Sequence, residues 1–137
     1  MNPDLEMFLR LLLATALGGV IGFQRERSGK EAGLRTNMLI CLGSALLTVL
    51  SIYAFSGSDP ARIAASIATG IGFIGAGVIL HRSGGVVLGL TSAATIWTVA
   101  GIGMAAGAGL YIIAPSATVL ALIILLLPHL KKPADKS

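Results

Sequence analysis

The chain has 137 residues, of which 55% are hydrophobic and only 12% are charged, with a formal net charge of +4. Soluble domains carry about 25% charged residues, so this composition excludes a disordered protein, a nucleic-acid-binding arm and a typical soluble enzyme. Because a membrane-spanning helix takes roughly 20 residues, the length accommodates about five spans in one domain and little else.

Five apolar stretches follow one another along the sequence, and we predict that each is a membrane-spanning helix. Charged or turn-forming segments separate the first three stretches. The stretch from Ser83 to Leu130 contains no Asp, Glu, Lys or Arg. It is too long for one crossing, but it fits two crossings joined by a tight turn. The predicted spans are residues 5–23, 36–55, 63–80, 91–106 and 110–127.

Lys and Arg lie mainly on one side of this predicted topology. The loop after the first span, the loop after the third span and the C-terminal tail carry eight of them, whereas the opposite side carries Arg10 and Arg62. Because cytoplasmic loops carry the excess of Lys and Arg, we predict an outside N-terminus and a cytoplasmic C-terminus. Residues 131–137 then form a short basic cytoplasmic tail. This topology needs an odd number of spans, which favours five over four.

The chain contains 18 glycines, many of them one helical turn apart within the predicted spans. Each glycine weakens a helix by up to roughly 1 kcal/mol relative to alanine, so this density indicates close helix–helix contact, which small residues permit in lipid. The fourth span carries two ridges of small residues on different faces of the helix, one including Gly101 and one joining Gly103 and Gly107. The ridges are also compatible with a homo-oligomer. The positions predicted to pack helices are Gly18, Gly22, Gly70, Gly72, Gly75, Gly77, Gly101 and Gly109.

No catalytic, cofactor-binding or metal-binding set is predicted. The stretch 70–77 lacks the Lys-Ser or Lys-Thr pair and the strand–loop–helix setting of a nucleotide-binding loop. The lone Cys41 and two distant His residues do not form a metal set. We therefore expect a protein that is not an enzyme, carries no cofactor and has no nucleic-acid partner.

Polar residues gather at the predicted cytoplasmic ends of the first four spans. Arg25 and Arg35 would supply positive charge there, and Glu26 would supply a balancing carboxylate. Polar side chains near the membrane core face the bundle interior. Two interpretations stay open: a cytoplasm-facing pocket or docking face, and an interfacial cluster that only holds the bundle together. The predicted polar cluster consists of Arg25, Glu26, Arg35, Thr36, Asn37, Thr91, Ser92 and Thr95.

Asp59 and Arg62 lie at the opposite, predicted outer end, beside the start of the third span. Asp59 is predicted to cap this helix, with Pro60 in its first turn. The alternative is an external contact with an ion or a partner. Arg10, within the first span, is predicted either to pair with Glu6 one turn earlier or to extend to the membrane surface.

Five strings stand in a characteristic order within residues 9–110. They are GGVIGFQRE at 18–26, AGLRTNMLI at 32–40, DPARIAA at 59–65, GIGFIGAG at 70–77 and GLTSAATIW at 89–97. In this order and spacing they resemble the MgtC/SapB family of bacterial inner-membrane proteins. The resemblance implies a multi-span protein associated with magnesium homeostasis, low-magnesium adaptation and virulence. Long members carry a soluble C-terminal cytoplasmic domain, and we expect this chain to be a short form without it.

Two functions are consistent with the resemblance and the residues. The family is associated with modulation of other membrane proteins, notably the F-type ATP synthase, so we expect a membrane-protein partner within the lipid bilayer. The alternative is a small transporter or channel for Mg²⁺ or another ion. A Mg²⁺ pathway calls for carboxylates at membrane depth, and no Asp or Glu occurs between Arg62 and Asp135. The sequence therefore favours the modulator.

Overall fold

The computed structural model describes residues 1–55, 57, 59–80 and 89–128. Arg82 in the predicted loop after the third span and the predicted tail at 131–137 lie outside the described residues. The described residues form five α-helices, which are α1 (Pro3–Arg27), α2 (Leu34–Tyr53), α3 (Pro60–Leu80), α4 (Leu90–Gly107) and α5 (Ile113–Leu126).

The all-helical fold and the five predicted elements are confirmed among these residues. Helices α1 to α4 are long and apolar enough to cross a membrane, whereas α5 is a shorter apolar helix of 14 residues. At 1.5 Å per residue, α5 is about 21 Å long, less than the roughly 30 Å of a bilayer core. It begins at Ile113 rather than at 110, because Gly109 adopts a φ of +81° and turns the chain before the helix starts.

The first helix shows how the local sequence sets its ends. Asn2 caps α1 by accepting a hydrogen bond from the N–H of Asp4 at 3.0 Å, and Pro3 occupies the first turn, a position that suits a residue without an N–H. At the other end, Arg27 lies in the last turn, where a cation interacts favourably with the negative end of the helix dipole. Gly29, with a φ of +70°, then redirects the chain.

The helices alternate in direction. Arg10 near the start of α1 contacts Gly107 at the end of α4, and Arg25 near the end of α1 contacts Ser92 at the start of α4. Pro60 of α3 lines a cavity together with Ser51 of α2. We call the end where α1, α3 and α5 begin the Arg10 end, and the opposite end the Arg25 end.

Helix α4 lies at the centre of the bundle and contacts all four other described helices. Its Ile96, Val99 and Ile102 are among the largest fully buried side chains. Half of α4 is buried, and a helix that is apolar all round suits such a position. One part of the core therefore forms where α1, α2 and α5 pack against α4, and a second part forms between α4 and α3, which lies on one flank.

Glycines bring the α1, α2 and α4 backbones together. A Cβ atom at Gly18 would lie 2.6 Å from the Cβ of Cys41, and one at Gly22 would lie 2.8 Å from the Cα of Leu34. A Cβ atom at Gly103 would overlap the carbonyl oxygen of Cys41. Because no side chain fits at these positions, glycine is required for helix α2 to lie between α1 and α4.

Other predicted packing glycines do not have this role inside the chain. Gly75 makes only ordinary contact, since its added Cβ would lie 3.5 Å from the Cβ of Ala93. Gly109 serves the turn before α5. The remaining four make no such contact within the described residues, because an added Cβ would meet nothing within 4 Å outside the backbone of its own helix; they are Gly70, Gly72, Gly77 and Gly101. For the first three the reason is that α3 lies on the flank of the bundle, with only 11% of its span buried.

Candidate functional site

Arg25 lies in the last turn of α1 and is 3% exposed. Its Nη2 donates a hydrogen bond to Ser92 Oγ on α4 at 2.8 Å, and this hydroxyl donates to Glu31 Oε2 at 3.1 Å. The chain of bonds joins α1, the α1–α2 loop and the first turn of α4. Among the described residues, Arg25 Nε has no hydrogen-bond partner.

Asn37 is fully buried at the start of α2. Its Nδ2 donates to the carbonyl oxygens of Gly33 at 2.8 Å and Ala32 at 3.1 Å. Its Oδ1 has no hydrogen-bond partner within the part of the chain that the structure describes. Because both bonds hold the segment just before α2, Asn37 sets the path by which the loop enters this helix.

The structure divides the predicted polar cluster into an interior and a surface part. Thr95 is buried and donates to the carbonyl oxygen of Thr91 in its own helix at 2.6 Å. The carboxylate joined to Arg25 through Ser92 is Glu31, not Glu26. Spacing along a helix did not reveal Glu31, because it lies in a loop. The cluster members with exposed side chains are Glu26, Arg35, Thr36 and Thr91.

Arg10 forms a second buried centre at the opposite end, with 7% of its surface exposed. Its guanidinium donates to Glu6 Oε1 at 2.8 Å, the Gly107 carbonyl oxygen at 2.9 Å and the Tyr111 hydroxyl at 3.3 Å. It also lies 5.3 Å from the ring centroid of Tyr53. The predicted pair with Glu6 is present, but Arg10 is buried rather than extended to the surface. Its other partners lie far along the chain and were not predicted.

The other predicted residues at this end belong to the first turn of α3. Asp59 Oδ1 accepts a hydrogen bond from the N–H of Ala61 at 3.0 Å, which is the geometry of the predicted cap. The Asp59 carbonyl oxygen accepts one from the N–H of Arg62 at 3.1 Å, and the Arg62 side chain is exposed. These contacts define the start of α3.

An apolar groove separates α2 from α3. It has a volume of about 590 Å³, and we call it the α2–α3 groove. Each wall carries a glycine, Gly43 on α2 and Gly70 on α3, and neither has a described atom within 4 Å of an added Cβ. The groove thus exposes backbone on both sides. Its walls include Leu39, Gly43 and Leu47 from α2, and Ser66, Gly70 and Ile74 from α3.

Metal ligands do not cluster in the part of the chain that the structure describes, where no three His, Cys, Asp or Glu side chains come together. Cys41 is a buried free thiol beside the Gly18 and Gly103 contacts. It acts there as a small packing residue between α1 and α4.

Most of the sequence of the bundle matches a known family. The MgtC family model covers residues 11–132. The chain belongs to the MgtC family. Arg25 and Ser92 fall within the matched range, whereas Arg10 and Glu6 lie just before it.

Named members of the MgtC family are similar to this chain. It is 47% identical over 132 residues to YhiD of Escherichia coli (strain K12), which is named as a candidate magnesium transporter; the match covers 90% of this chain and 61% of YhiD. It is 47% identical over 116 residues to SapB of Bacillus subtilis (strain 168), covering 79% and 50% of the two chains. It is 48% identical over 106 residues to MgtC of Brucella abortus (strain 2308), covering 77% and 44%.

The chain therefore spans 44% to 61% of the length of these MgtC-family relatives. No solved structure matches it.

Proposed function

We propose that this MgtC-family protein lies in the bacterial inner membrane and contributes to magnesium homeostasis by binding another membrane protein and modulating its activity. It acts without catalysis. The family resemblance makes the F-type ATP synthase one such target. The excess of Lys and Arg in the loops on one side supports a cytoplasmic Arg25 end and an outer Arg10 end.

The observation that carries this proposal is the α2–α3 groove. Gly43 and Gly70 each weaken their helix by up to about 1 kcal/mol relative to alanine, yet no described atom packs closely against either one. In lipid, surfaces of small residues let a second helix approach closely and gain van der Waals contact. The groove is therefore suited to a transmembrane helix of a partner protein, because the chain's own helices leave its glycines without close contacts.

Exposed charge at the Arg25 end supports a second part of the same contact. Glu26, Arg35 and Thr36 are exposed where α1 ends and α2 begins. In this proposal they meet the cytoplasmic face of the partner, while the α2–α3 groove receives its helix. Charged groups at the rim of an interface select the partner more than they raise the affinity.

Co-purification from native membranes tests the groove. The full chain, carrying a tag, is extracted in mild detergent at low and at replete magnesium, and bound proteins are identified by mass spectrometry. The test variant is Gly70→Leu, which fills the groove. The matched control is Gly101→Leu, which adds the same side chain at a half-buried α4 position outside the groove, where an added Cβ also meets nothing within 4 Å.

We expect the wild type and Gly101→Leu to retain a specific membrane-protein partner and Gly70→Leu to lose it. Equal recovery by the two variants would remove the groove from the contact. Absence of any enriched partner at both magnesium levels, relative to an unrelated membrane protein at matched expression, would contradict the modulator.

Mg²⁺ transport is the second candidate, because the relative YhiD is named as a candidate magnesium transporter. Purified protein in liposomes loaded with a Mg²⁺-sensitive dye separates the two functions. The modulator predicts no uptake above that of empty liposomes. Mg²⁺ uptake that is lost in Gly72→Leu, a substitution on the exposed face of α3, would favour transport instead, provided that the variant inserts normally into the liposomes.

A further inference from the structure

A second cavity opens at the Arg25 end, between the last turn of α1 and the end of α5, with a volume of about 510 Å³. We call it the Arg25 pocket. One wall is polar and includes Arg25, Lys30 and Thr91, whereas the other is apolar and includes Ile124, Leu125 and Leu127. The pocket is thus divided into a cationic half and a hydrocarbon half.

The cationic half holds a charge that the described residues leave poorly compensated. Within them, the Arg25 guanidinium has one hydrogen-bond partner, the neutral hydroxyl of Ser92, and its Nε has none. Glu31 accepts a hydrogen bond from that hydroxyl, and its side chain is exposed. Burial of a charged group without a counter-charge is strongly unfavourable, so the site favours an anion.

The other buried arginine provides the comparison inside the same chain. Arg10 has a direct ion pair with Glu6 at 2.8 Å and uses all three of its nitrogen atoms in hydrogen bonds. Arg25 is more deeply buried and makes one bond, yet no described carboxylate forms an ion pair with it. Arg10 therefore has its counter-charge within the chain, whereas Arg25 lines the pocket without a counter-charge among the described residues.

The second half of the pocket restricts what this anion can be. Leu125 and Leu127 lie at the end of an apolar helix beside the end of α1. Where membrane helices end, lipid headgroups are the neighbouring anions, and basic pockets between such helices bind phosphate-bearing headgroups. An ion without a tail would leave the apolar wall unused.

We propose that the Arg25 pocket binds the phosphate of an anionic phospholipid. Arg25 and Lys30 supply the positive charge that attracts the phosphate, and an acyl chain lies against Ile124 and Leu127. This site is separate from the α2–α3 groove and does not depend on the function proposed for that groove.

Lipid binding to the full chain, delipidated in detergent, tests the proposal. Native mass spectrometry gives apparent affinities for dioleoylphosphatidylglycerol and for zwitterionic dioleoylphosphatidylcholine. Phosphorus NMR gives the affinity for inorganic phosphate. The deciding variant is Lys30→Gln, because Lys30 is exposed and its loss leaves the helix contacts intact. The matched control is Arg27→Gln, which removes the same charge from an exposed residue outside the pocket.

We expect the wild type to prefer the anionic lipid, Lys30→Gln to lose about fivefold in affinity for it, and Arg27→Gln to change by less than about twofold. Arg25→Gln loses at least about tenfold if the variant keeps its helical circular dichroism. Gly70→Leu keeps wild-type lipid affinity, so failure of the groove and failure of the pocket give different results.

Equal affinity for the two lipids would overturn the proposal, as would an equal loss in Lys30→Gln and Arg27→Gln, because general surface charge would then explain the binding. Inorganic phosphate that displaces the anionic lipid at comparable affinity would overturn the lipid assignment and make free phosphate the ligand.

Discussion

Helices α3 and α4 are both rich in glycine, yet their surroundings are opposite. Half of α4 is buried, against 11% of α3. A side chain at Gly103 of α4 would overlap the α2 backbone, whereas one at Gly70 or Gly72 of α3 would meet no described atom within 4 Å. Glycine spacing therefore marks surfaces suited to close contact, but it does not say whether the partner belongs to the same chain.

The largest expected effect comes from the buried side of this comparison. Gly103→Ala places a Cβ against the backbone oxygen of Cys41, and we expect it to destabilise the fold by about 3 kcal/mol through overpacking. Reversible unfolding in detergent, followed by circular dichroism, measures the change. Gly101→Ala, two residues earlier and in open space, should cause no loss. Because Gly→Ala improves helix propensity, equal destabilisation by both variants would mean that the close contact with α2 does not distinguish Gly103 from Gly101.

The next effect concerns how each helix is fixed at the Arg10 end. Arg10→Ala leaves Glu6 and the Gly107 carbonyl oxygen without their partner, so we expect a loss of about 2–3 kcal/mol. Arg62→Ala at the exposed start of α3 should change the free energy of unfolding by less than about 0.5 kcal/mol. The same unfolding assay compares the two, and similar losses would show that α3 is anchored as firmly as α4.

A smaller effect is expected for single hydroxyl groups. Ser92→Ala on α4 removes the only described hydrogen-bond partner of the Arg25 guanidinium and should lower the free energy of unfolding by about 1–2 kcal/mol. Thr69→Ala on α3 removes a hydroxyl that bonds the Ala65 carbonyl oxygen of its own helix and should be nearly neutral. Thermal unfolding of both variants checks this order, and a larger loss for Thr69→Ala would reverse the comparison.

The smallest effect should have the opposite sign. Gly70→Ala and Gly72→Ala improve helix propensity in open space, so we expect each to stabilise the isolated chain by up to about 0.5 kcal/mol. Gly70→Ala should still weaken recovery of the partner from membranes, because it narrows the α2–α3 groove. Destabilisation of the purified protein by either change would show that α3 packs more tightly than its exposure indicates.

The sequence predicted the helical bundle well because long apolar stretches and charge boundaries depend only on local composition. It also predicted that Arg25 and Ser92 lie at the same end of the bundle, where they are hydrogen-bonded. The Asn37 side chain, predicted in the same cluster, bonds to the carbonyl oxygens of Ala32 and Gly33 instead. The sequence assigned Glu26 rather than Glu31 to the predicted polar cluster. Glu31 lies in a loop, and a loop has no periodicity from which the direction of a side chain can be derived.

Two further features could not be derived from spacing. Gly101 and Gly103 lie on different ridges of the same span, and nothing local states which ridge faces α2. Tyr111 became a partner of Arg10 only through the turn at Gly109, whose positive φ sets where α5 begins. These outcomes depend on which helices become neighbours, a property of the whole bundle.

The shortness of α5 has a consequence for the surrounding lipid. Helix α1, with 25 residues, is about 38 Å long, whereas its neighbour α5 is about 21 Å long. A bilayer bordering a short apolar helix becomes thinner, at a cost of a fraction of a kcal/mol per Å of hydrophobic mismatch. The flank of the bundle formed by α5 therefore imposes a step in membrane thickness, and lipids with shorter acyl chains should gather there.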